Sequence, residues 1–134
     1  MNSADLYTYL NAHSGLSNLV ETRIYPGRLP DPASGHVPAV VYQLVSSPRM
    51  VAHDGVLPDT ESRYQFDAWA TTHVTATDVA GQLTAALLGY TGDMGSTSVA
   101  IPRRTNEFDS YEDETGLYRV TVEFIIWHAN EGNS

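Results

Sequence analysis

The chain has 134 residues, 42% of them hydrophobic and 17% charged, and its sixteen acidic and seven basic residues give a formal net charge of −9. This length fits one domain, and the composition is that of a globular protein. The sequence has no apolar run near the ~20 residues that cross a bilayer, no signal-peptide pattern and no cysteine, which argues against membrane spans and signal-peptide export and excludes disulfides. We expect one domain over residues 1–129 and a polar end over 130–134.

The charges are distributed unevenly along the chain. Every basic residue is arginine, and the only adjacent pair is Arg103 and Arg104, so no basic stripe exists that could neutralise several phosphates of a nucleic acid. Tight DNA binding is therefore not expected. Mutual repulsion within a cluster of five acids predicts a solvated loop, or alternatively a surface that repels phosphate. These acids are Glu107, Asp109, Glu112, Asp113 and Glu114.

The N-terminal third predicts a helix, a brief edge strand and a stiff loop. Ser3 is a suitable helix cap, apolar residues recur at helical spacing from Leu6 to Leu10, and Gly15 is placed to end the helix. A short strand over residues 23–25 precedes a loop containing four prolines, which fix φ and remove amide donors.

Two strands follow, separated by a loop over residues 48–60. Residues 39–47 are apolar on both faces, which predicts a strand inside the sheet. Residues 61–70 alternate with period two, so that Tyr64, Phe66 and Ala68 point toward the core.

The C-terminal half predicts a second helix capped by Thr75 and ended by Gly89, a glycine-rich connection, a strand over 97–104 and a final strand over 118–127. The sum is an α+β fold with a mainly antiparallel sheet of four to five strands and two helices packed on one face.

The search for catalytic or metal sites gives a negative result. No two of the five histidines stand three or four residues apart, as ligands on one helix face would. The glycines at 89, 92 and 95 follow a helix instead of opening one, no serine lies in a GxSxG elbow, and Asp54 and Asp59 lack the rest of an EF-hand. We predict no catalytic, cofactor-binding or metal-binding residue.

The outward faces of the two long strands have a repeated chemistry of arginine, carboxylate and tryptophan. Arginine and tryptophan are enriched in protein interfaces, which predicts a subunit interface, but the same residues could simply pair across strands of one sheet. Both interpretations stay open from the sequence. The residues are Arg63, Asp67, Trp69, Arg119, Glu123 and Trp127.

The order of several short motifs resembles the tail completion family of long-tailed bacteriophages, also described as tail-to-head joining or tail terminator proteins. The resemblance covers about residues 4–128. It is carried by RIYPG at 23–27, PAVVY at 38–42, YQFDAWA at 64–70, an alanine-rich helix and GLYR at 116–119.

The resemblance implies a virion structural protein without catalytic residue or cofactor. Such a subunit assembles into a ring, typically six-fold, at the head-proximal end of the tail tube, ends the tube and joins it to the head connector while DNA passes through the lumen. Its partners are then its own copies, the tube protein and a connector or adaptor protein, with no membrane involved, and it is located in the virion tail after assembly in the host cytoplasm.

Two sets of residues are expected to serve this role. The acidic cluster supplies candidates for the lumen, where a negative surface would repel DNA. The two loops supply docking elements: Arg28, Asp31, His36, Arg49, His53, Asp54 and Asp59. The alternatives are another neck or tube component, such as a head-side adaptor or tube subunit, and a small enzyme or ligand-binding domain.

Overall fold

Three α-helices pack against one six-stranded sheet in the computed structural model, which describes residues 3–31, 33–51, 59–95 and 97–129. The helices are α1 (Ser3–Asn11), α2 (Ser14–Val20) and α3 (His73–Leu87), with a 3-10 helix at Ala33–His36. The strands are β1 (Ile24–Pro26), β2 (Ala39–Val51), β3 (Asp59–Ala70), β4 (Thr91–Met94), β5 (Thr97–Glu112) and β6 (Leu117–Ala129).

The strand order is β1-β2-β3-β6-β5-β4. β1 and β2 are parallel, and the other four neighbouring pairs are antiparallel. The predicted mixed α+β class is confirmed, and β1 lies at an edge with β2 inside the sheet, as expected. The expected four to five strands and two helices are wrong, because the chain forms six strands and three α-helices.

The core lies between the helices and one face of the sheet. Side chains from α1, α2 and α3 pack there on alternating residues of the central strands, including Phe66, Val122 and Phe124, each with no exposed surface. Burying one such large side chain stabilises the fold by about 1.5–3 kcal/mol relative to leaving it in water. The period-two pattern of β3 and β6 therefore predicted the core face correctly.

Several predicted boundaries are wrong in the helices. The first helix does not run to Gly15: the chain turns at His13 and α2 begins at Ser14, which lets a second short helix pack on α3. The cap of α3 is Thr72, not Thr75; the Thr72 side chain accepts a hydrogen bond from the Thr75 backbone N–H at 3.2 Å. Gly89 follows the last helical turn as predicted, with φ of +82°.

Three connections are also shorter than expected. The glycine-rich segment after α3 contains β4, which pairs with residues 97–100 of β5. The predicted loop at 48–60 is strand at both ends, since β2 continues to Val51 and β3 begins at Asp59. The acidic segment is not a loop over most of its length, because β5 extends to Glu112 before a turn over 113–116.

Among the described residues, no helix combines the length and apolar character needed to cross a membrane. The predicted polar end at 130–134 lies outside the described residues.

Candidate assembly surface

The face of the sheet that points away from the core, here called the second face, carries the odd-numbered side chains of β3 and β6. The six side chains predicted as an interface all belong to it. Because the two strands are antiparallel neighbours, their similar sequences run in opposite directions, and Trp69 lies opposite Arg119 while Asp67 lies opposite Thr121. The structure therefore brings these six residues together on one surface, but residues of the same type on the two strands do not lie opposite each other.

Arg119 contacts the strand on each side of it. Its guanidinium carbon lies 5.3 Å from the centre of the Trp69 ring, and its Nε donates a hydrogen bond to Ser110 Oγ at 3.0 Å. The first contact has cation–π geometry and the second holds the guanidinium plane in place. Arg119 thus connects β3, β6 and β5 across the second face.

A second pair joins Arg63 to Glu123, whose Nε and Oε1 atoms are 3.7 Å apart. The Arg63 side chain is 44% exposed and the Glu123 side chain 13% exposed, so the pair is partly screened by water. Cross-strand pairing, one of the two interpretations of these residues, is therefore present within the sheet. Arg63 keeps enough exposed surface to meet another molecule.

Asp67 is the buried charge of the second face, with a relative exposure of 6%. Its Oδ1 accepts a hydrogen bond from Thr121 Oγ1 at 2.7 Å, and the Gln65 Nε2 donates to both carboxylate oxygens at 3.1 and 3.2 Å. Among the described residues, none of the arginines forms an ion pair with it. A neutral hydroxyl and a neutral amide thus replace the water that the carboxylate loses on folding.

A cavity of about 270 Å³ lies between the second face and the loop that follows β1. Leu29 and Ala33 form its loop side, and Trp69, Leu117 and Glu112 form part of its sheet side. Leu117 is only 1% exposed although it points away from the main core. The loop therefore gives this end of the second face a small apolar contact zone of its own, bordered by charged groups.

Sequence reasoning did not indicate the contacts that Gln65, Ser110, Leu117 and Thr121 make on this surface, although the period-two pattern places Gln65 and Thr121 on the outward face. Each becomes recognisable only when the neighbours of β6 are known, since β3 lies on one side of it and β5 on the other. The period-two pattern gives the face of each residue but not the strand beside it.

Comparison with known protein families finds a match between residues 4–129 and the family model described as Tail completion protein gp17. The chain belongs to the tail completion family. This membership makes the protein a structural component of a virion tail, and it confirms the resemblance found in the sequence motifs. Comparison with curated proteins finds no match.

Among solved structures, a chain from the virion of a native gene transfer agent particle has the same fold. Its TM-score is 0.69 at 17% sequence identity, and the match covers 95% of this chain and 93% of that chain. At that identity the likeness concerns the fold alone. It extends over nearly the whole of both chains.

In this tail completion protein the five predicted lumen acids do not share one face. Glu107 and Asp109 lie on the helix side of β5, where Glu107 pairs with Arg104 at 3.2 Å and Asp109 contacts His73 Nε2 at 2.8 Å. Glu112 lines the cavity on the second face. The remaining two acids lie in the exposed turn before β6.

The predicted docking residues have different environments. Arg28, Asp31 and His36 lie in the loop between β1 and β2, and the His36 ring packs against Tyr25 with centroids 6.3 Å apart. Arg49 and Asp59 are not in a loop, since their backbones belong to the β2–β3 ladder. His53 and Asp54 lie outside the described residues.

Two tyrosines have a raised pKa because they are partly buried. Burial raises the pKa of Tyr64, and the neighbouring Tyr42 raises it further. Burial also raises the pKa of Tyr9, with Tyr90 contributing, and its hydroxyl donates a 2.5 Å hydrogen bond to the Ala86 carbonyl. Both lie on the helix side of the sheet, away from the second face.

The described residues contain no group of three or more histidine, aspartate or glutamate side chains arranged to hold a metal ion. Ser62 Oγ and His128 Nε2 are 3.0 Å apart. The two residues are only 1% and 7% exposed, so the serine hydroxyl is packed inside the protein.

Proposed function

We propose that this protein forms a ring at the head-proximal end of the tail tube, ends the growth of the tube and joins it to the head connector. Membership of the tail completion family over residues 4–129 is the observation that carries the proposal. The protein acts in this role by binding, without catalysis, and DNA passes through the ring without being bound specifically.

The second face supports this role because a ring subunit needs surfaces that recognise a neighbouring protein in one register. Charges of both signs next to a tryptophan give such a register, and interface cores are enriched in arginine and tryptophan. We assign the contact to Arg63, Asp67, Trp69, Arg119, Glu123 and Trp127. Asp67 acts there as a buried support for its neighbours, because little of it is exposed.

The acidic tip of the protein supports passage of DNA through the ring. Glu112 and the two acids of the following turn lie together at the end of the β5–β6 hairpin. We assign this tip to the lumen, because a negative surface does not adsorb the phosphate backbone. The loop after β1 and the connection between β2 and β3 are assigned to docking on tube or connector.

The proposal is tested by producing particles in which only this protein is absent. We expect DNA-filled heads and separate tails, with tube lengths that vary because nothing ends their growth, and normal particles when the gene is supplied again. A tube subunit would leave no tails at all. A head-side adaptor would leave tails of uniform length, and either result would overturn the proposed role in ending the tube.

A further inference from the structure

Both edges of the sheet are only partly covered in a single copy of the protein. On one edge β4 pairs with residues 97–100 of β5, and Ile101 bonds to the backbone of Gly89 and Tyr90. From 103 to 112, β5 pairs only with β6 among the described residues. Side chains from 103 to 109 are all exposed. The outer backbone groups of this long strand segment thus face solvent and can pair with another strand.

The opposite edge of the sheet is also covered over only part of its length. The short strand β1 covers only residues 40–42 of β2, and Gly27 adds one hydrogen bond to Tyr42. From 43 to 51, β2 pairs only with β3 within the described part of the chain. This surface, made of β1 and the uncovered part of β2, is here called the β1–β2 edge.

The two short strands lie at opposite ends of the sheet. Through the ladders, residues 40–42 of β2 are level with 107–109 of β5, so β1 adds width where β5 is uncovered. Residues 97–100 of β5 are level with the far end of β2, so β4 adds width where β2 is uncovered. When two copies meet edge to edge, β1 of one copy therefore fits beside the uncovered part of β5 in the other, and β4 fits beside the uncovered part of β2.

Strand direction also fits a head-to-tail joint. The successive pairs β2–β3, β3–β6 and β6–β5 are all antiparallel, so β5 runs opposite to β2, and β1 is parallel to β2. In a ring, neighbouring copies are related by rotation about the ring axis. This rotation leaves the direction of each strand along the axis unchanged, and the same face of the sheet points outward in every copy. A neighbouring copy therefore presents its β1–β2 edge antiparallel to β5, which is the arrangement of most sheet pairs.

Opposite charges lie on the two edges where β5 is level with β1. The uncovered segment of β5 begins with Arg103 and Arg104, but residues 105–112, which include the positions level with β1, contain Glu107, Asp109 and Glu112 and no basic residue. Residues 22–28 and 43–51 contain Arg23, Arg28 and Arg49 and no acidic residue. Opposite charges favour this pairing over contact of the β1–β2 edge with its own copy, because arginines would then face arginines.

We propose that the uncovered edge of β5 pairs with β1, at the β1–β2 edge of a second copy, so that the sheets of neighbouring subunits join into one sheet around the ring. The proposal rests on the proposed ring but not on the assignment of the second face. Contacts between two different surfaces of one chain close into a ring when the rotation between copies allows it. Each joint also covers the edges that a single copy leaves open.

Disulfide cross-linking tests this joint, since the chain has no cysteine of its own. One cysteine is placed in β5 at Thr105, Glu107 or Asp109, and one in or just before β1 at Arg23, Tyr25 or Pro26, because β1 is the strand that meets β5 when two copies meet edge to edge. Paired strands bring Cα atoms to about 4.5–5.5 Å, within the range of a disulfide. Each double variant is oxidised alone and with tail tubes, and parallel samples are viewed by electron microscopy.

We expect at least one combination to give a covalent ladder that stops at the number of subunits in the ring. Moving the second cysteine from Arg23 to Tyr25 should shift the best partner in β5 toward residue 103, because the strands are antiparallel. The matched control, Thr77→Cys on the exposed side of α3 combined with Tyr25→Cys, should give no ladder.

The outcomes separate the two proposals. Rings seen by microscopy without any edge cross-link would overturn edge pairing and leave the proposed function standing. Dimers formed by variants with a single cysteine in β5 would overturn it in favour of β5 pairing with itself. Absence of any oligomer, with or without tubes, would overturn the ring and the joint together.

Discussion

The guanidinium of Arg119 lies over the ring of Trp69, with 5.3 Å between the guanidinium carbon and the ring centre, directly across the ladder of the two central strands. Replacing Arg119 with alanine removes this contact and the hydrogen bond to Ser110. We expect the free energy of unfolding to fall by about 1–2 kcal/mol. Urea denaturation followed by tryptophan fluorescence measures the change.

Arg119→Lys separates charge from geometry, because lysine keeps the charge and loses the planar donor group. It should recover less than half of the loss. Arg103→Ala is the control, since Arg103 is exposed and has no side-chain partner among the described residues. If the alanine and lysine variants of Arg119 have the same free energy of unfolding as the parent protein, the stacked contact contributes nothing to stability.

Thr121→Val tests the support of the buried carboxylate. Valine has nearly the shape of threonine, but Asp67 then loses the 2.7 Å hydrogen bond and keeps only Gln65. We expect the free energy of unfolding to fall by about 1–3 kcal/mol, the usual cost of leaving a buried polar group short of a partner. Denaturation measures this, with Thr77→Val on the exposed side of α3 as control.

The double variant with Asp67→Asn identifies the cause. If Thr121 acts through the carboxylate, the second substitution should cost less in the presence of the first than alone. Additive effects of the two substitutions would contradict this coupling.

Two glycines should respond in opposite directions to replacement by alanine. Gly81 lies in α3 with no atom within 4 Å of the position of an added Cβ, so Gly81→Ala should stabilise the protein by about 0.5–1 kcal/mol. Gly95 has φ of +60°, and a Cβ there would collide with the Asp5 carboxylate, so Gly95→Ala should destabilise it. Thermal unfolding measures both, and a shift of the same sign for the two variants would contradict the described backbone.

Alkaline pH should weaken the fold through Tyr64. Its pKa is raised in the folded protein by burial first and by Tyr42 second, whereas in the unfolded chain it titrates near 10. The unfolded state therefore releases the proton first, and the stabilising contribution, complete below pH ~10, is lost as pH rises through the folded pKa. Tyr64→Phe should flatten the fall in melting temperature above pH 10. An unchanged pH profile would contradict the burial of this hydroxyl.

Arg63 offers the sharpest test of the second face in assembly. Arg63→Glu places two acids beside each other, so a stability loss of about 1 kcal/mol or less is expected from this partly exposed pair. Ring formation, measured by light scattering after gel filtration, should be largely lost even though the subunit itself stays folded. Thr77→Glu adds the same negative charge on α3 and should leave assembly intact. Normal rings from Arg63→Glu would contradict the proposed contact.

The sequence predicted those parts of the fold in which side-chain pattern and packing agree. The alternation in β3 and β6 places Phe66, Val122 and Phe124 in the core, and the prolines after β1 correctly limit it to a short edge strand. The family followed from the order of motifs that belong mostly to these strands.

The missed elements have a common physical cause, since their strand structure comes from the neighbouring strand and not from their own pattern. Residues 105–112 look like a solvated loop because of their acids, yet pairing with β6 keeps them extended. β4 contains Gly92 and follows Gly89, which suggests a connection, but the backbone of β5 orders it. The partners of Asp67 could not be predicted either, because they depend on which strand lies beside β6.

Electron microscopy of the purified protein mixed with tail tubes shows whether this protein ends the tube. We expect closed rings of uniform diameter, bound to one end of each tube and absent from its length. The Thr77→Glu variant should bind in the same way as the parent. Tubes built from this protein without limit of length, or tubes whose ends remain bare at saturating protein, would contradict the role of a ring that ends the tail tube.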